Sequence, residues 1–352
     1  MFLRLFENIF GYFVERRNNS FDLNRIKQYR GKIPVISIGN ISVGGSGKTP
    51  LTIELAKLLL ERGIRPAVIG RGYKRKSSGG IIVSDGKQIL SSAEEAGDEM
   101  LLIAQKLNVP VVLHQKKYEA ARIVEENFNV DVILLDDGFQ HRKLHRNLDI
   151  VILDTKTIEK PYLLPRGRLR EPLKSILRAD IICLYSENDY KEIAGLIGND
   201  SEVFYISVKK DGIYNLEKYN PVACYSELKQ GKFNEINFCE NLNDNEKKFA
   251  TLSSIANPER FFNSIKEVHL AHSFIFQDHH QYSENDILKI IKCCKNKNIN
   301  SLITTEKDAV KLYRFNGFFK SNSIFIYVFS IKIDILNFQK LTDFVLRTID
   351  KT

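Results

Sequence analysis

Apolar residues in the opening stretch MFLRLFENIFGYFVERR fall at Phe2, Leu3, Phe6, Ile9, Phe10, Phe13 and Val14. Spacings of three and four place them on one face of a helix, with Arg4, Glu7, Asn8 and Glu15 mostly elsewhere. After residue 33 the pattern changes to short apolar runs separated by amphipathic segments. Residues 34–38, 65–69, 110–113, 132–135, 150–153 and 181–184 read as buried strands. Residues 51–62, 94–107 and 118–127 read as helices. Such alternation predicts a parallel sheet covered by helices on both faces. Between about 186 and 250 the chain turns polar, rich in Asn, Lys and Glu, with a domain boundary expected near 210. A second α/β region follows, with strands expected at 250–253, 301–304 and 323–328 and helices at 258–265 and 284–295.

A chain of 352 residues is long enough for two domains with cores of their own. Its 43% hydrophobic and 27% charged residues are globular values and exclude disorder as the main state. The formal charge of +9 suits a polyanionic ligand, a nucleic acid or an anionic membrane, without choosing among them. Residues 1–32 carry seven Lys/Arg against three acids. The N-terminal helix therefore reads either as lying in a membrane interface or as packed on its own domain. No apolar run reaches about 18 residues, so no membrane-crossing helix is expected. Nor does the N-terminus show a signal-peptide cleavage site. Five scattered cysteines (Cys183, Cys224, Cys239, Cys293, Cys294) form no CxxC pair, which fits reduced thiols in a cytosolic setting.

The strongest chemical signal is Ser42-Val43-Gly44-Gly45-Ser46-Gly47-Lys48-Thr49, between an expected strand and an expected helix. That is the context of a phosphate-binding P-loop. Backbone N–H groups of Gly44, Gly45, Ser46 and Gly47 would curl around phosphate oxygens, Lys48 would reach the β- and γ-phosphates, and Thr49 would ligate Mg²⁺. The run 132–135 then delivers Asp136 and Asp137 to the C-terminal edge of the sheet, where an acid holds the metal. Neighbouring side chains on a strand point oppositely, so one of the two is expected to touch the ion directly. His141, His145 and Asp149 have spacings that mimic a metal site, but Gly138 and the charged residues between them indicate a loop. Pro165 to Pro172 gathers Arg166, Arg168 and Arg170 in one loop, as solvated charge or as phosphate ligands. The fold expected is α/β: a P-loop NTPase-type parallel sheet at 31–210, after an amphipathic segment at 1–30, with a smaller α/β domain at 211–352. These residues alone indicate a Mg²⁺-dependent P-loop nucleotidase or kinase of unknown acceptor.

The stretch from Gly39 to Pro50 resembles the P-loop of the tetraacyldisaccharide 4′-kinases, whose loop also lacks the first glycine. The likeness recurs in order at Arg71-Gly72-Tyr73, Gly97-Asp98-Glu99, Asp136 to His141, Leu163-Leu164-Pro165 and Leu169 to Pro172. It continues at Ile255 to Phe262, Asp278-His279-His280 and Thr304 to Leu312. The resemblance implies transfer of the ATP γ-phosphate to the 4′-hydroxyl of a tetraacyldisaccharide 1-phosphate, giving lipid IVA in lipid A biosynthesis. It also implies a peripheral enzyme on the cytoplasmic face of the inner membrane, two α/β/α domains that close on nucleotide, and no nucleic-acid partner. Carried over by position, Lys48 and Thr49 serve phosphate and Mg²⁺, Asp136 and Asp137 the metal, Asp98 and His279 the base, and Arg170 the transferring phosphoryl group. A P-loop GTPase or metallochaperone-like switch is the alternative. Its Asn-Lys-x-Asp signature is missing at Thr305-Glu306-Lys307-Asp308.

Overall fold

The computed structural model describes residues 2–72, 79–198, 200–218, 248–266 and 268–350. Tyr73, Cys224, Cys239 and residues 241–247 of the Asn/Lys-rich stretch lie outside them. The strands of the first half are β1 (Val35–Gly39), β2 (Pro66–Gly70), β3 (Ile81–Asp85), β4 (Pro110–Leu113), β5 (Val132–Asp136), β6 (Leu148–Leu153) and β7 (Ile181–Leu184). Then come β8 (Glu202–Asn215), β9 (Phe249–Ser253), β10 (Leu270–Ile275), β11 (Ser301–Thr305) and β12 (Phe325–Ile335). All twelve join one sheet in the order β10-β9-β11-β12-β8-β7-β6-β1-β5-β2-β4-β3. The first half is parallel as expected, except that β3 runs antiparallel along β4 at the edge.

Side-chain alternation explains the layering. In β1 and β5, Ile36, Ile38, Val132 and Leu134 pack with Leu51, Leu55 and Leu59 of α2 (Lys48–Glu61). The intervening Val35, Ile133 and Leu135 pack with Ala120, Ala121 and Val124 on the other face. Strands buried on both faces read as unbroken apolar runs, and for that reason they were visible in sequence. The first of these cores does not stop at the first half. It continues through Leu252, Ile287, Leu302, Val328 and Leu341, so the two halves share buried apolar surface.

The change of character near residue 210 falls inside a strand. Residues 202–205 of β8 pair in parallel with β7, whereas 206–215 pair antiparallel with β12. The β8–β12 ribbon thus carries the sheet from one half to the other. Its register shifts between Ser330, opposite Gly212, and Ile331, opposite Lys210, leaving Asp211 as the extra residue of a bulge.

The N-terminal helix α1 (Phe2–Asp22) touches the body through a narrow stripe. Gly11, Asn18 and Phe21 are buried, with Glu7 and Val14 half-buried beside them. Phe2, Leu3, Phe6, Ile9 and Phe13 stay exposed, Phe2 at 78%. The aromatic face is therefore not used to pack on its own domain. Asn18 donates to Glu171 at 2.9 Å and Arg142 to Asp22 at 2.6 Å, and Glu7 accepts from the Leu163 N–H and from Arg166, both at 3.0 Å. Among the described residues no helix is long and apolar enough to cross a membrane.

The helix expected at 94–107 is two helices. Gly97, at φ 76° and ψ 159°, ends α3 (Ala93–Ala96) and makes Asp98 the first residue of α4 (Asp98–Lys106). The spacing that suggested a metal site at His141, His145 and Asp149 is accidental. Asp149 lies in β6, where Arg146 binds its carboxylate at 2.8–3.2 Å.

Candidate active site

The register Ile38↔Asp136 brings the ends of β1 and β5 out side by side, so the loop after β1 and the acids after β5 share one edge. Gly39 permits this, since a Cβ there would lie 2.6 Å from that of Phe139. Gly44 at φ +107° and Gly47 at φ +90° take backbone angles that favour glycine. The loop is pinned from outside. The Val43 N–H donates to Arg168 O at 2.8 Å, and the Arg170 N–H donates to Ile41 O at 2.7 Å. Tyr185 donates to Ser46 O at 2.9 Å, and the Arg168 guanidinium to Val43 O at 2.8 Å. The arginine loop is accordingly a brace for the phosphate loop. Its three arginines part company: Arg166 goes to Glu7, Arg168 to the loop backbone, and Arg170 to Asp137 at 2.9 Å.

Lys48 and Thr49 open α2 and meet the two acids. The Thr49 hydroxyl donates to Asp136 Oδ2 at 3.2 Å, and Thr52 donates to Oδ1 at 3.2 Å. Lys48 Nζ lies 3.5 Å from Asp137. Burial, then the charges of Glu99 and Asp137, pushes the Asp136 carboxyl up to about 6. Asp137 is held below the usual carboxylate range: burial opposes its ionisation, but Lys48, Lys117 and Arg170 outweigh burial. Lys117, the first residue of α5 (Lys117–Asn127), carries no signal in the sequence. It is buried, and its ammonium donates to the main-chain oxygens of Asp136 at 2.7 Å and Asp137 at 2.6 Å. Burial lowers it to about 8. It steadies a turn in which Asp137 itself has φ 52°.

A second cluster joins the two halves. His279, in the loop after β10 with φ 60°, places Nδ1 3.0 Å from Asp98 Oδ1 at the start of α4. Asp98 is buried at 3% exposure. Burial works against its ionisation, yet the His279 hydrogen bond and the charges of Lys307 and Lys311 hold it at about 2. His280 faces away, stacked on Phe276 and 3.1 Å from Asp286. Lys307 and Lys311 belong to the Glu306–Leu312 helix, which Thr305 caps at its N-terminus. Lys311 lies 3.7 Å from Asp98 and 2.9 Å from Asp308, whose carboxylate also accepts from Ser254, Tyr282 and Thr305. Asp308 is thus spent on a buried network. At the far end of α4, Lys106 pairs with Glu306 at 2.5 Å, both mostly buried, and Ser330 beside the ribbon's bulge donates to Glu306 at 2.7 Å. Sequence reading found Asp98 and His279 but gave Glu99, Lys307 and Lys311 no role, because each looks like an ordinary surface charge.

Between Asp154, Thr155 and Lys156 of the first half and Asn257, Glu259 and Arg260 of the second lies a cleft of about 280 Å³. It borders the phosphate loop through Arg260, stacked on Tyr185 at 4.6 Å. A groove of about 430 Å³ follows α1, lined by Arg4, Asn8, Tyr12, Leu163 and Arg166 among others. Among the described residues no cluster of three His, Cys, Asp or Glu side chains could hold a metal by itself.

A family model described as tetraacyldisaccharide-1-P 4′-kinase matches residues 1–350. The tetraacyldisaccharide 4′-kinase of Halothermothrix orenii is 36% identical over 353 residues, covering 95% of this chain and 88% of that one. The enzyme of the same name from Chlorobium phaeovibrioides is 39% identical over 313 residues, covering 86% and 84%. A crystal structure of LpxK from Aquifex aeolicus in complex with ATP aligns with TM-score 0.74 at 30% identity, covering 98% of this chain and 97% of that one.

Proposed function

The chain belongs to the tetraacyldisaccharide 4′-kinase family, and we propose that its two halves enclose magnesium–ATP and use Asp98 and His279 as the base of the transfer. The activity is phosphorylation of the 4′-hydroxyl of a tetraacyldisaccharide 1-phosphate at the expense of ATP, a step of lipid A synthesis. The switch-protein alternative is not favoured by this membership, and Asp308, tied to Ser254 and Tyr282, is not available to read a guanine.

The roles follow from chemistry and placement. Backbone N–H groups of Gly44 to Gly47 take the phosphate chain, and Lys48 neutralises it. Thr49 and Asp136 suit Mg²⁺, being hard oxygen donors 3.2 Å apart, about the separation of neighbouring ligands on an ion that binds oxygen at ~2.1 Å. Mg²⁺ held there would neutralise β- and γ-phosphate oxygens. Asp136 is the direct ligand, since its Oδ2 already meets the Thr49 hydroxyl, whereas Asp137 faces Lys48. Arg170 is released from Asp137 to the transferring group. The cleft at Arg260 receives the nucleoside. Asp98 accepts the Nδ1–H of His279, which leaves Nε2 to take the proton from the attacking hydroxyl. Because Asp98 and His279 come from opposite sides of the β8 division near residue 210, the base is complete only when the halves are together, which keeps water from being phosphorylated.

The lipid acceptor reaches this site from a membrane. The exposed aromatic face of α1, flanked by arginines, is the pattern of a helix lying in a lipid interface. The groove beside α1 is lined by Leu163, Arg166 and Pro172, which flank Arg170 in the chain. With ATP as donor and a lipid as acceptor, the reading is of a peripheral enzyme on the cytoplasmic face of the inner membrane.

The observation that carries the reading is the 3.0 Å contact between Asp98 and His279 across the two halves. Its test is ATP-dependent phosphorylation of tetraacyldisaccharide 1-phosphate by two variants. His279→Ala is expected to lose turnover by ~10²–10⁴-fold, and His280→Ala to stay within a few-fold of the parent. Equal activities of the two would remove His279 from the base.

A further inference from the structure

The base has a cation where its substrate should be. With Nδ1 on Asp98, the lone pair of His279 is at Nε2, and Lys307 Nζ lies 3.1 Å from that atom. The same ammonium is 3.0 Å from Glu99, 3.6 Å from Asp278 and 4.0 Å from Asp98. Those acids, net of burial, hold it above the ordinary lysine value. Lys307 therefore sits on the proton-accepting atom of the base, tied to Glu99 at the start of α4.

The reaction geometry limits what such a cation can touch. An acceptor hydroxyl giving its proton to Nε2 sits ~2.8 Å from that nitrogen. The γ-phosphorus it attacks lies ~3–3.5 Å beyond the hydroxyl oxygen. An ammonium on a four-carbon stem, starting 3.1 Å from Nε2, reaches a γ-phosphoryl oxygen with a small swing.

We propose that Lys307 is a further catalytic residue, which occupies His279 Nε2 in the free enzyme and moves onto the γ-phosphoryl group when the acceptor hydroxyl takes its place. The inference rests on the reading of His279 as the base. In the step, the hydroxyl oxygen bonds to the γ-phosphorus while the hydroxyl proton passes to Nε2. The bond from phosphorus to the β,γ-bridging oxygen breaks, and its electron pair leaves on ADP. Lys307 balances the negative charge on the three γ-oxygens from the second half, as Lys48 does from the first. In the free enzyme the ammonium fills the only lone pair of the base, so a stray water finds no proton acceptor. Charge stabilisation and protection against wasteful hydrolysis are then two positions of one side chain.

The experiment measures acceptor phosphorylation and acceptor-free ATP hydrolysis for Lys307→Met, Lys307→Arg and His279→Ala, with ATP affinity by equilibrium binding. Lys307→Met is expected to lose ~10²–10³-fold in kcat, the size seen for one charge-stabilising donor. Its ATP affinity should stay within about threefold, and its hydrolysis per transfer event should rise. Lys307→Arg should recover at least a tenth of the parental kcat, because the charge is restored. If Lys307→Met fails to fold, Lys307→Gln carries the same expectations. A neutral variant with parental kcat, or a kcat loss without any rise in hydrolysis per transfer and without recovery by arginine, overturns the inference. In those cases an inactive His279→Ala leaves the base reading standing, while an active His279→Ala removes both.

Discussion

Asp98→Asn removes one charge and keeps the shape of the side chain, so it isolates what the buried carboxylate contributes. In the folded protein the carboxyl titrates at about 2 against an ordinary 3.8. A gap of that size corresponds to about 2–3 kcal/mol of preference for the ionised form. The group is only 3% exposed, so solvent screening takes little from this figure. The folded value lies below the unfolded one. The contribution is therefore complete above about pH 4 and is lost as the pH falls through about 2. Urea unfolding at pH 7 should show Asp98→Asn less stable by about 2–3 kcal/mol. The difference from the parent should shrink between pH 4 and pH 2. The kinetic effect has a separate origin. In the transition state His279 acquires a proton, and without the carboxylate that charge is left beside Lys307 and Lys311. A fall in kcat of ~10²–10⁴-fold with little change in KM is expected. The reasoning is refuted if the variant keeps parental kcat, or if its stability deficit is as large at pH 2 as at pH 7.

Replacing Phe2, Phe6 and Phe13 together by Ser should weaken binding to anionic vesicles at least 100-fold, given about 1.5–3 kcal/mol per buried aromatic side chain, while the melting temperature stays unchanged; undiminished flotation with the vesicles would place the lipid contact elsewhere. Gly44→Ala should fold but bind ATP at least tenfold more weakly, because a Cβ there lies 2.5 Å from the Arg168 guanidinium at a φ of +107°; parental affinity in equilibrium binding would show that the loop gives way without consequence.

What the sequence disclosed and what it hid follow from burial. Strands β1, β5 and β7 are enclosed on both sides and stand out as apolar runs. Strand β10 at the sheet's edge is half-exposed along most of its length, and much of β8 faces solvent, so neither announced itself. The break at Gly97 was hidden because α3 and α4 share one apolar periodicity across it. In the site, Gly44 to Thr49 and Asp136 were legible because phosphate and metal demand fixed residue types at fixed spacing. Asp98 and His279 lie 181 positions apart, and only the family resemblance joined them. Lys117 and Lys307 had no such signal. A lysine near the start of a helix is ordinary, and its worth comes from what the fold brings against it.

The β8–β12 ribbon ties the two halves along a hydrogen-bonded seam. A pair of strands so joined resists being stretched or sheared along its length. The extra residue at Asp211 kinks and twists the ribbon locally, and Ser330 links that point to Glu306, the partner of Lys106. With one apolar core running through both halves, neither can slide along the other. The imidazole is thereby held in register with its own carboxylate, as a latch is by the frame of its door.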